Sequence, residues 1–514
     1  MRIRLAPAAL VLAFVLAAAG PAAADDWNTP VGKDAARAGL STETGPADPT
    51  ILWQGSRPAI VAQQGCAAGN LLVLNRIESF AIPGGTWLVA HDLTTGAELW
   101  AVHLPYDPQA PGHREKVTGI RDGHVYATRC GDSRQDYLYA LDPADGSILW
   151  RSAEKIDEET TESAAYAEDG DLIIGNFTSL RRIEQTDGST VWSTPRTSPT
   201  SNGSSAAVFG DRAYIWEASG TGPKVSAFSL ATGQRLYQSP GYGGLVEQLG
   251  LFVGPDGTVY APRSQNNAAT DFLIALRDTG SALVERWRVP LGYVPFGSFA
   301  VGPDGSVYSY TSAREILKLD PATGDTLAIS PPIQADFPMQ PRMAADAAGR
   351  LYVTNGGFGL GFLYCFNDDL TVRFSQPVPN VNLGGPVIGQ GGILVVCGVG
   401  TDVRAYRSGT TGLAAAAGAP LRFTLAQNSP NPFNPATEIG FALGEPSVVT
   451  LEILDAQGRR VATLLDHESR GAGSHAVAWR GRDESGTPVS SGVYFYRLDA
   501  GGGETATRKM LLIK

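Results

Sequence analysis

The stretch AHDLTTGAELW, from Ala90 to Trp100, combines a small-residue strand, a tight Asp/Thr/Gly turn and a second strand that ends in tryptophan. Its relatives recur along the chain as ALDPADGSILW (140–150), RIEQTDGSTVW (182–192), AFSLATGQRLY (227–237), ALRDTGSALVERW (275–287), KLDPATGDTLA (318–328) and CFNDDLTVRF (365–374). The closing residues are 41 to 50 positions apart. This spacing is the length of one four-stranded propeller blade.

A second recurring hairpin precedes each of these units. Its copies are DGHVYATR from Asp122, DGDLIIGN from Asp169, GDRAYIWE from Gly210, DGTVYAPR from Asp256, DGSVYSYT from Asp304, AGRLYVTN from Ala348 and GGILVVCG from Gly391. Asp-Gly or Gly-Asp supplies the positive-φ residue of a tight turn, and alternating apolar positions follow it. Each repeat therefore predicts a four-stranded antiparallel sheet.

The last repeat, GGILVVCGVGTDVRAYRSGTTG (391–412), has no closing strand, whereas PTILWQGS (49–56) has the same Leu-Trp ending without a preceding turn. We infer that Ile51 to Trp53 supplies the outer strand of the final blade. Seven closers plus Trp53 predict eight blades, and ring closure leaves no whole-sheet edge exposed. The predicted fold is all-β: an eight-bladed β-propeller over 49–410, followed by a small Ig-like β-sandwich.

The N-terminus, MRIRLAPAALVLAFVLAAAGPAAA, has Arg2 and Arg4, a short apolar run and a small-residue cleavage site. These features predict a signal peptide over 1–24, with 25–48 as an N-terminal segment. We expect a secreted or outer cell-surface protein that passes through the periplasm, with no membrane insertion, because no later apolar run approaches the length of a span. Loss of the two arginines takes the net charge from −11 to −13, which disfavours nucleic acid as a partner. We expect a monomer.

The repeat resembles the quinoprotein-type propellers, which include quinone-dependent alcohol dehydrogenases and the propeller subunit of the outer-membrane barrel-assembly machinery. Members that use a quinone need an adjacent cysteine pair, a calcium held by Glu, Asn and Asp, an Asp base and a stacked Trp. This chain has no adjacent cysteines and no C-x-x-C-H segment. We therefore assign no catalytic, cofactor-binding or metal residues, and PQQ with calcium belongs only to an alternative hypothesis.

Other candidate sites have simpler explanations. His91, His103, His113 and His124 lie close in sequence but lack paired metal-ligand spacing. The glycine cluster at 355–362 lies between two strands and opens no helix, so it forms no dinucleotide fingerprint. Long face loops at 76–86, 103–116, 197–205 and 291–299, with Tyr106, Tyr293 and Phe296, are the predicted ligand-binding surface.

The four cysteines are Cys66, Cys130, Cys365 and Cys397. The repeat places Cys66 on the turn between the first two strands of its blade and Cys130 at the end of a second strand, which puts them at opposite faces. Cys365 and Cys397 fall in adjacent blades near the same rim. In an oxidising compartment, a disulfide is expected for Cys365 with Cys397 rather than for Cys66 with Cys130.

After Tyr406 the small, uncharged residues of 411–420 predict a linker. The remaining 421–514 alternate apolar and polar residues in short strands separated by turn signals, as in a β-sandwich. The motifs Pro430 to Pro435, Gly458-Arg459, Ala472-Gly473 with His475 and Trp479, Ser491 to Tyr494, and Lys509-Met510 resemble the type A C-terminal sorting domain of the type IX secretion system. That domain is similar to the Ig-like domain of flagellar hook-capping proteins. The resemblance implies an address for outer-membrane secretion machinery, with Arg508, Lys509 and Lys514 forming a basic terminal strand.

Three functions remain open at this point. The leading hypothesis is a non-enzymatic secreted or cell-surface propeller that binds a protein or polysaccharide on its face loops. The alternatives are a quinone-dependent (PQQ-type) oxidoreductase and a periplasmic outer-membrane assembly scaffold. The sequence does not identify the ligand.

Overall fold

The structure of the protein, a computed structural model, describes residues 26–513 except 31, 56–60, 63–64, 79–84, 107–114, 130–135, 157–163, 177, 198–204, 244, 247–249, 265–270, 293–298, 334–340, 357–360, 379–383, 398–402, 409–422, 426–427, 429–430, 432, 444–445, 456–458, 472 and 501–504. The predicted signal peptide and linker lie outside these residues. No helix in the described part is long and apolar enough to cross a membrane.

The first four antiparallel sheets after the N-terminal strand β1 (Ile51–Gln54) are blades 1 to 4. Blade 1 contains β2 (Val61–Ala62), β3 (Cys66–Ala68), β4 (Leu71–Ile77), β5 (Thr86–Asp92) and β6 (Glu98–Val102), and blade 2 contains β7 (Lys116–Arg121), β8 (His124–Thr128), β9 (Leu138–Leu141) and β10 (Ile148–Arg151). Blade 3 contains β11 (Ala165–Tyr166), β12 (Leu172–Gly175), β13 (Ser179–Ile183) and β14 (Thr190–Pro195), and blade 4 contains β15 (Ala207–Phe209), β16 (Arg212–Glu217), β17 (Lys224–Ser229) and β18 (Arg235–Gln238).

Blades 5 to 8 follow in the same order. Blade 5 contains β19 (Leu245–Val246), β20 (Phe252–Val253), β21 (Val259–Ser264), β22 (Asp271–Asp278) and β23 (Leu283–Gly292), and blade 6 contains β24 (Ala300–Val301), β25 (Val307–Tyr310), β26 (Ile316–Leu319) and β27 (Thr326–Ile329). Blade 7 contains β28 (Arg342–Ala345), β29 (Leu351–Gly356), β30 (Gly361–Phe366) and β31 (Val372–Pro377). Blade 8 contains β32 (Pro386–Gly389), a 3-10 turn at Gln390–Gly392, β33 (Ile393–Cys397) and β34 (Val403–Tyr406), and β1 completes it. The predicted eight-bladed fold is confirmed.

The N-terminal strand is the outer strand of blade 8. Ile51 pairs with Tyr406 and Trp53 with Ala405 in an antiparallel ladder. Blade 8 is thus built from both ends of the propeller sequence, and this pairing closes the ring.

Residues 26–30 and 32–47 lie against the inner strands near their turn ends. Backbone N–H groups of six blades donate to carbonyls of this segment at 2.7 to 2.9 Å: Ala67 to Trp27, Ile120 to Asn28, Val208 to Ala35, Val253 to Ala36, Val301 to Ala38 and Ala345 to Gly39. Trp27 is fully buried. The N-terminal segment therefore lies along the inner strands of six blades and links blades that are distant from one another.

Neighbouring blades dock through the tryptophan of the repeated motif. At five joints the indole N–H donates to a carbonyl in the next blade at 2.8 to 3.0 Å: Trp53 to Leu93, Trp100 to Pro143, Trp150 to Gln185, Trp192 to Leu230 and Trp287 to Pro321. Each ring also lies over the turn glycine of that blade. A Cβ on Gly146 would lie 2.9 Å from the Trp100 ring, and one on Gly324 would lie 2.8 Å from the Trp287 ring. Both glycines have positive φ, so the motif requires glycine for two reasons.

The expected disulfide between Cys365 and Cys397 is wrong. Neither residue forms a disulfide in the structure. Cys365 lies on the third strand of blade 7, and its thiol lies 3.9 Å from the Phe366 carbonyl oxygen. Cys397 ends the second strand of blade 8, close to Cys66, whose pKa is raised mainly by burial. Cys66 is in β3 and not on the turn that follows it, and Cys130 lies outside the described residues. Burial raises the pKa of the Cys365 thiol to about 12.

The C-terminal region is Ig-like, with two packed sheets. One contains β35 (Phe423–Leu425), β36 (Thr437–Leu443) and β39 (Gly473–Trp479), and the other contains β37 (Ser447–Leu454), β38 (Arg460–Arg470), β40 (Gly492–Asp499) and β41 (Thr505–Leu512). Residues of the sequence motifs form its core, because the Trp479 ring contacts Phe433 at 5.6 Å and Tyr494 at 5.3 Å between centroids. These motifs therefore encode the fold of the domain.

The Asn-Pro-Phe motif also holds the C-terminal strand. Asn431 accepts a hydrogen bond from the Leu511 N–H, and Phe433 exchanges backbone hydrogen bonds with Leu511 and Ile513. Arg508 donates to the Leu425 carbonyl at 2.6 Å. The side chain of Lys509 and residue Lys514 lie outside the described residues. The C-terminal end of β41 and the side chain of Arg508 are therefore hydrogen-bonded within the domain.

Candidate functional site

The joint between blades 4 and 5, called joint 4/5 below, departs from the tryptophan pattern. Tyr237 stands where five of the other joints have tryptophan, and the hairpin of blade 5 is two residues longer, since Ala275 pairs with Trp287 while in blade 2 Ala140 pairs with Trp150. The turn glycine, Gly280, has open space where a Cβ would lie. The space over the turn glycine, which an indole ring fills at the tryptophan joints and which we call the aromatic slot, is therefore empty at joint 4/5.

A cleft of about 420 Å³ lies at joint 4/5. The turn 209–212 and Tyr214 of blade 4 form one wall, and the turns 256–258 and 277–280 with Arg286 of blade 5 form the other. Phe209 is 38% exposed, and its ring lies against Gly257, where a Cβ would approach to 3.0 Å. The positive φ of Gly257 and its lack of a side chain allow the ring to approach the turn closely.

The floor of the cleft is built around the Asp278 carboxylate. It accepts hydrogen bonds from the hydroxyls of Tyr237 at 2.6 Å and Tyr214 at 2.7 Å, and from the Gly280 N–H at 2.7 Å. The Arg212 guanidinium lies 3.5 Å away. Every bond favours the ionised carboxylate, so its two oxygens are engaged by donors from both blades.

The pKa values follow from this arrangement. Partial burial alone would raise the pKa of Asp278, but the hydrogen bonds from Tyr237 and Tyr214, the Gly280 N–H and the charge of Arg212 together lower it. Burial and the hydrogen bond to Asp278 raise the pKa of Tyr237 to about 12 and raise that of Tyr214 further. Asp278 stays ionised and the two phenols stay neutral near neutral pH, which suits a structural anchor and not a proton-transfer group.

The remaining polar groups of the cleft include Arg286, Asp256 and Arg277. Arg286 donates to Thr258 at 2.8 Å and lies 3.3 Å from the Asp256 carboxylate, which is half exposed. Arg277 is exposed and forms no hydrogen bond or ion pair with any residue that the structure describes. The cleft thus combines fixed donors and acceptors, one available guanidinium and one exposed ring, which are features of a binding site.

The predicted face loops are only partly within the described residues. Segments 79–84, 107–114, 198–204 and 293–298, with His113, Tyr293 and Phe296, lie outside them. His91 is in β5 and His124 is in β8, so they belong to strands of different blades. Within the described part of the chain, no group of three or more His, Cys, Asp or Glu side chains could hold a metal ion.

One of these loops does carry a polar cluster. Glu115, fully buried, contacts Arg129 and Thr86, and His103 lies 3.4 Å from the same carboxylate. The His103 ring packs against Trp87 at 3.7 Å between centroids. The guanidinium of Arg129 lies 5.2 Å from the ring centroid of Tyr106, one of the aromatic residues in the predicted ligand-binding loops. His103 and Tyr106 therefore belong to a cluster that joins blades 1 and 2.

The residues present do not match what a quinone with calcium requires. The chain has no adjacent cysteines, and the carboxylates of the cleft are engaged with arginine, threonine and tyrosine partners.

Sequence reasoning missed the cleft although the sequence carries a signal for it. ALRDTGSALVERW has thirteen residues where the other tryptophan-closed units have eleven, and AFSLATGQRLY ends in tyrosine. Two deviations from the repeat thus meet at one joint. Deviations of this kind are where function is expected in a repetitive fold.

Comparisons with known proteins agree with this architecture. Residues 84–327 match the family described as outer membrane protein assembly factor BamB, a PQQ-type repeat family, and residues 427–504 match the FlgD Ig-like domain. A search of curated proteins found no match. The chain therefore carries a PQQ/BamB-like repeat domain and a FlgD-like Ig domain.

Two solved structures with a TM-score of 0.50 share the fold at low identity, and the likeness to a third is too weak to support a conclusion about the fold. Quinohemoprotein alcohol dehydrogenase from Comamonas testosteroni is 12% identical, with a TM-score of 0.50 over 91% of this chain and 82% of that one. The computationally designed Ika8 protein is 13% identical, with a TM-score of 0.50 over 70% of this chain and 99% of that one. BamB from Moraxella catarrhalis is 15% identical, with a TM-score of 0.41 over 62% of this chain and 94% of that one. At these identities the likeness concerns the fold alone.

Proposed function

We propose that the protein is a non-enzymatic binding propeller of the cell envelope, secreted or held at the outer cell surface, whose ligand is a protein or a polysaccharide. The observation that carries the proposal is the cleft at joint 4/5. There, polar groups from two blades are held in fixed positions around an exposed ring, while the central carboxylate is saturated by hydrogen bonds. Such a site can recognise a ligand without reacting with it.

The proposed binding surface differs from the one expected from the sequence. The cleft lies among the hairpin turns of blades 4 and 5, at the end of the inner strands that the N-terminal segment occupies. These turns are short and are anchored by Asx-type hydrogen bonds, such as those from Thr258 to Asp256. Recognition groups on rigid turns lose little conformational entropy on binding.

The C-terminal domain would supply delivery. The FlgD-like Ig fold of 427–504 and the motif residues in its core are consistent with a sorting module read by outer-membrane secretion machinery. The predicted signal peptide would bring the chain to the periplasm first. In this proposal, neither segment takes part in ligand binding.

A second candidate is supported by the match of 84–327 to the BamB family. In that case the propeller would be a periplasmic scaffold for outer-membrane assembly, and no surface delivery would follow. The two candidates predict different final locations for the same folded chain.

The test uses the full-length chain expressed with its signal sequence in a bacterium that has a type IX system. Cell fractionation and intact mass would locate the protein and its C-terminus, and arrays of glycans and envelope proteins would be probed with wild type and with Phe209→Ala. We expect surface or medium location and array binding that Phe209→Ala reduces. Retention of the intact chain in the periplasm would contradict delivery, and bound quinone in the visible spectrum would contradict the non-enzymatic proposal.

A further inference from the structure

The chemistry of the cleft at joint 4/5 narrows the class of its ligand. The lining contains three arginines and three aspartates, so its formal charge is balanced. These side chains are planar, and carboxylate and guanidinium groups can each form two parallel hydrogen bonds. Closely spaced hydroxyl groups, which both donate and accept, can pair with such a lining without adding charge.

The apolar part of the cleft is a single aromatic face. Phe209 lies close to the Gly257 backbone and is 38% exposed, so the turn limits the movement of its ring while part of the side chain stays accessible. An aromatic face of this kind suits the C–H groups on one side of a pyranose ring, which carry partial positive charge toward the negative π face. A peptide anchor would instead need an enclosed apolar pocket to desolvate its side chain.

Size and charge agree with this class of ligand. About 420 Å³ is at the small end of ligand pockets, which suits one or two sugar units and excludes a folded protein element. The chain carries a net charge of −11, which disfavours a polyanionic polymer. The available Arg277 guanidinium can donate to hydroxyl or ring oxygens at the opening.

We propose that the cleft at joint 4/5 binds a neutral saccharide unit, with its ring stacked on Phe209 and its hydroxyls hydrogen-bonded to Arg277 and Asp256. This rests on the proposed function and specifies the ligand class of that same site. The Asp278 anchor holds the two walls at a fixed separation and does not itself contact the sugar.

The experiment measures binding of the full-length protein to neutral and uronic-acid oligosaccharides by isothermal titration calorimetry and a glycan array. Phe209→Ala and Arg277→Ala are compared with Leu149→Ala and Arg407→Ala, which alter an exposed apolar side chain of blade 2 and an exposed arginine of blade 8. We expect each cleft variant to weaken neutral-saccharide binding about tenfold or more and the two controls to leave it unchanged. Thermal melts of all four variants show that each one is folded.

The outcomes separate the two proposals. Binding of peptides or proteins that Phe209→Ala abolishes, without saccharide binding, would overturn the saccharide inference and leave the proposed binding function standing. Preference for uronic acids would overturn neutrality, and saccharide binding that both cleft variants retain would overturn the assignment of the site. Absence of any ligand on glycan and protein arrays would overturn the proposed function itself.

Discussion

The joint between blades 5 and 6 and joint 4/5 are built from the same repeat, but the first is closed by an aromatic ring and the second contains a cleft. At the first, Trp287 fills the space over Gly324 and donates to Pro321, so the two blades are sealed. At the second, the Tyr237 hydroxyl donates to the Asp278 carboxylate, and no described atom lies within 4 Å of the position of a Cβ on Gly280. A directional polar contact has replaced an area of packing, and the space left over is the cleft.

This difference separates two ways of holding blades together. An indole that is more than nine-tenths buried provides a large apolar contact that does not depend on pH. A carboxylate bound by two phenols provides a contact that is specific in direction and depends on the protonation of its members. The joint between blades 5 and 6 is thus held by apolar packing, whereas joint 4/5 is held by hydrogen bonds that fix the shape of the cleft.

The largest expected effect comes from removal of the indole at the sealed joint. Trp287→Ala should lower the free energy of unfolding by about 3–5 kcal/mol, because it removes a buried aromatic ring and leaves a cavity. Tyr237→Ala should cost clearly less, since its ring is only partly buried. Urea titration of the full chain, with the exposed Leu327→Ala as a control within about 0.5 kcal/mol of wild type, measures both. Equal losses at the two positions would contradict the comparison.

The turn glycines should differ in the same direction. Gly324→Ala and Gly280→Ala both place a Cβ at positive φ, which costs about 1–2 kcal/mol. At Gly324 the new Cβ also meets the Trp287 ring, which adds about 1–3 kcal/mol of overpacking. The melting temperature should therefore fall more for Gly324→Ala. A larger loss at Gly280 would show that the slot of joint 4/5 is filled.

The polar anchor should give a smaller but coupled effect. Tyr237→Phe removes one hydrogen bond to the Asp278 carboxylate and should cost about 1 kcal/mol, at the low end for bonds to charged groups because the site is partly exposed. In a double-mutant cycle with Asp278→Asn, the two losses should be less than additive. Strict additivity would mean that the two side chains act independently.

The smallest effect is a dependence on pH that is specific to joint 4/5. The lowered pKa of Asp278 gives stability that is present above its unfolded value of about 3.9 and is lost as pH falls through the folded pKa. The raised pKa of Tyr237, about 12, gives stability that is present below pH of about 10 and is lost between about 10 and 12. The stability difference between wild type and Tyr237→Phe should therefore be greatest at intermediate pH and shrink at both extremes. A difference that is constant across the range would argue against the anchor.

Much of the propeller follows from local sequence signals. The Thr-Gly turn, the closing tryptophan and the Asp-Gly hairpin each act over about ten residues, so they predict a blade wherever they occur, and the position of Trp53 indicates how the ring closes. The predicted disulfide was wrong because Cys365 lies on the third strand of blade 7, whereas Cys397 lies on the second strand of blade 8. Which strand of a blade carries a cysteine depends on the exact strand register. The candidate site was missed because a two-residue insertion was treated as one more copy of the repeat.

The sequence by itself determined eight similar blades and an Ig-like domain, because short turns and alternating apolar residues specify local hairpins whose stacking is the only way to bury their faces. The tertiary structure decided where the N-terminal segment lies and which joint between blades contains a cleft. No sequence pattern in the segment that contains Trp27 and Ala38 predicts its six partner strands. The partners are backbone N–H groups of distant blades, and every residue except proline has such a group. The cleft likewise forms only when Tyr237 and Phe209 of blade 4 meet Asp278 and Gly280 of blade 5: the sequence marks the two deviating units, but only the fold brings them to one joint.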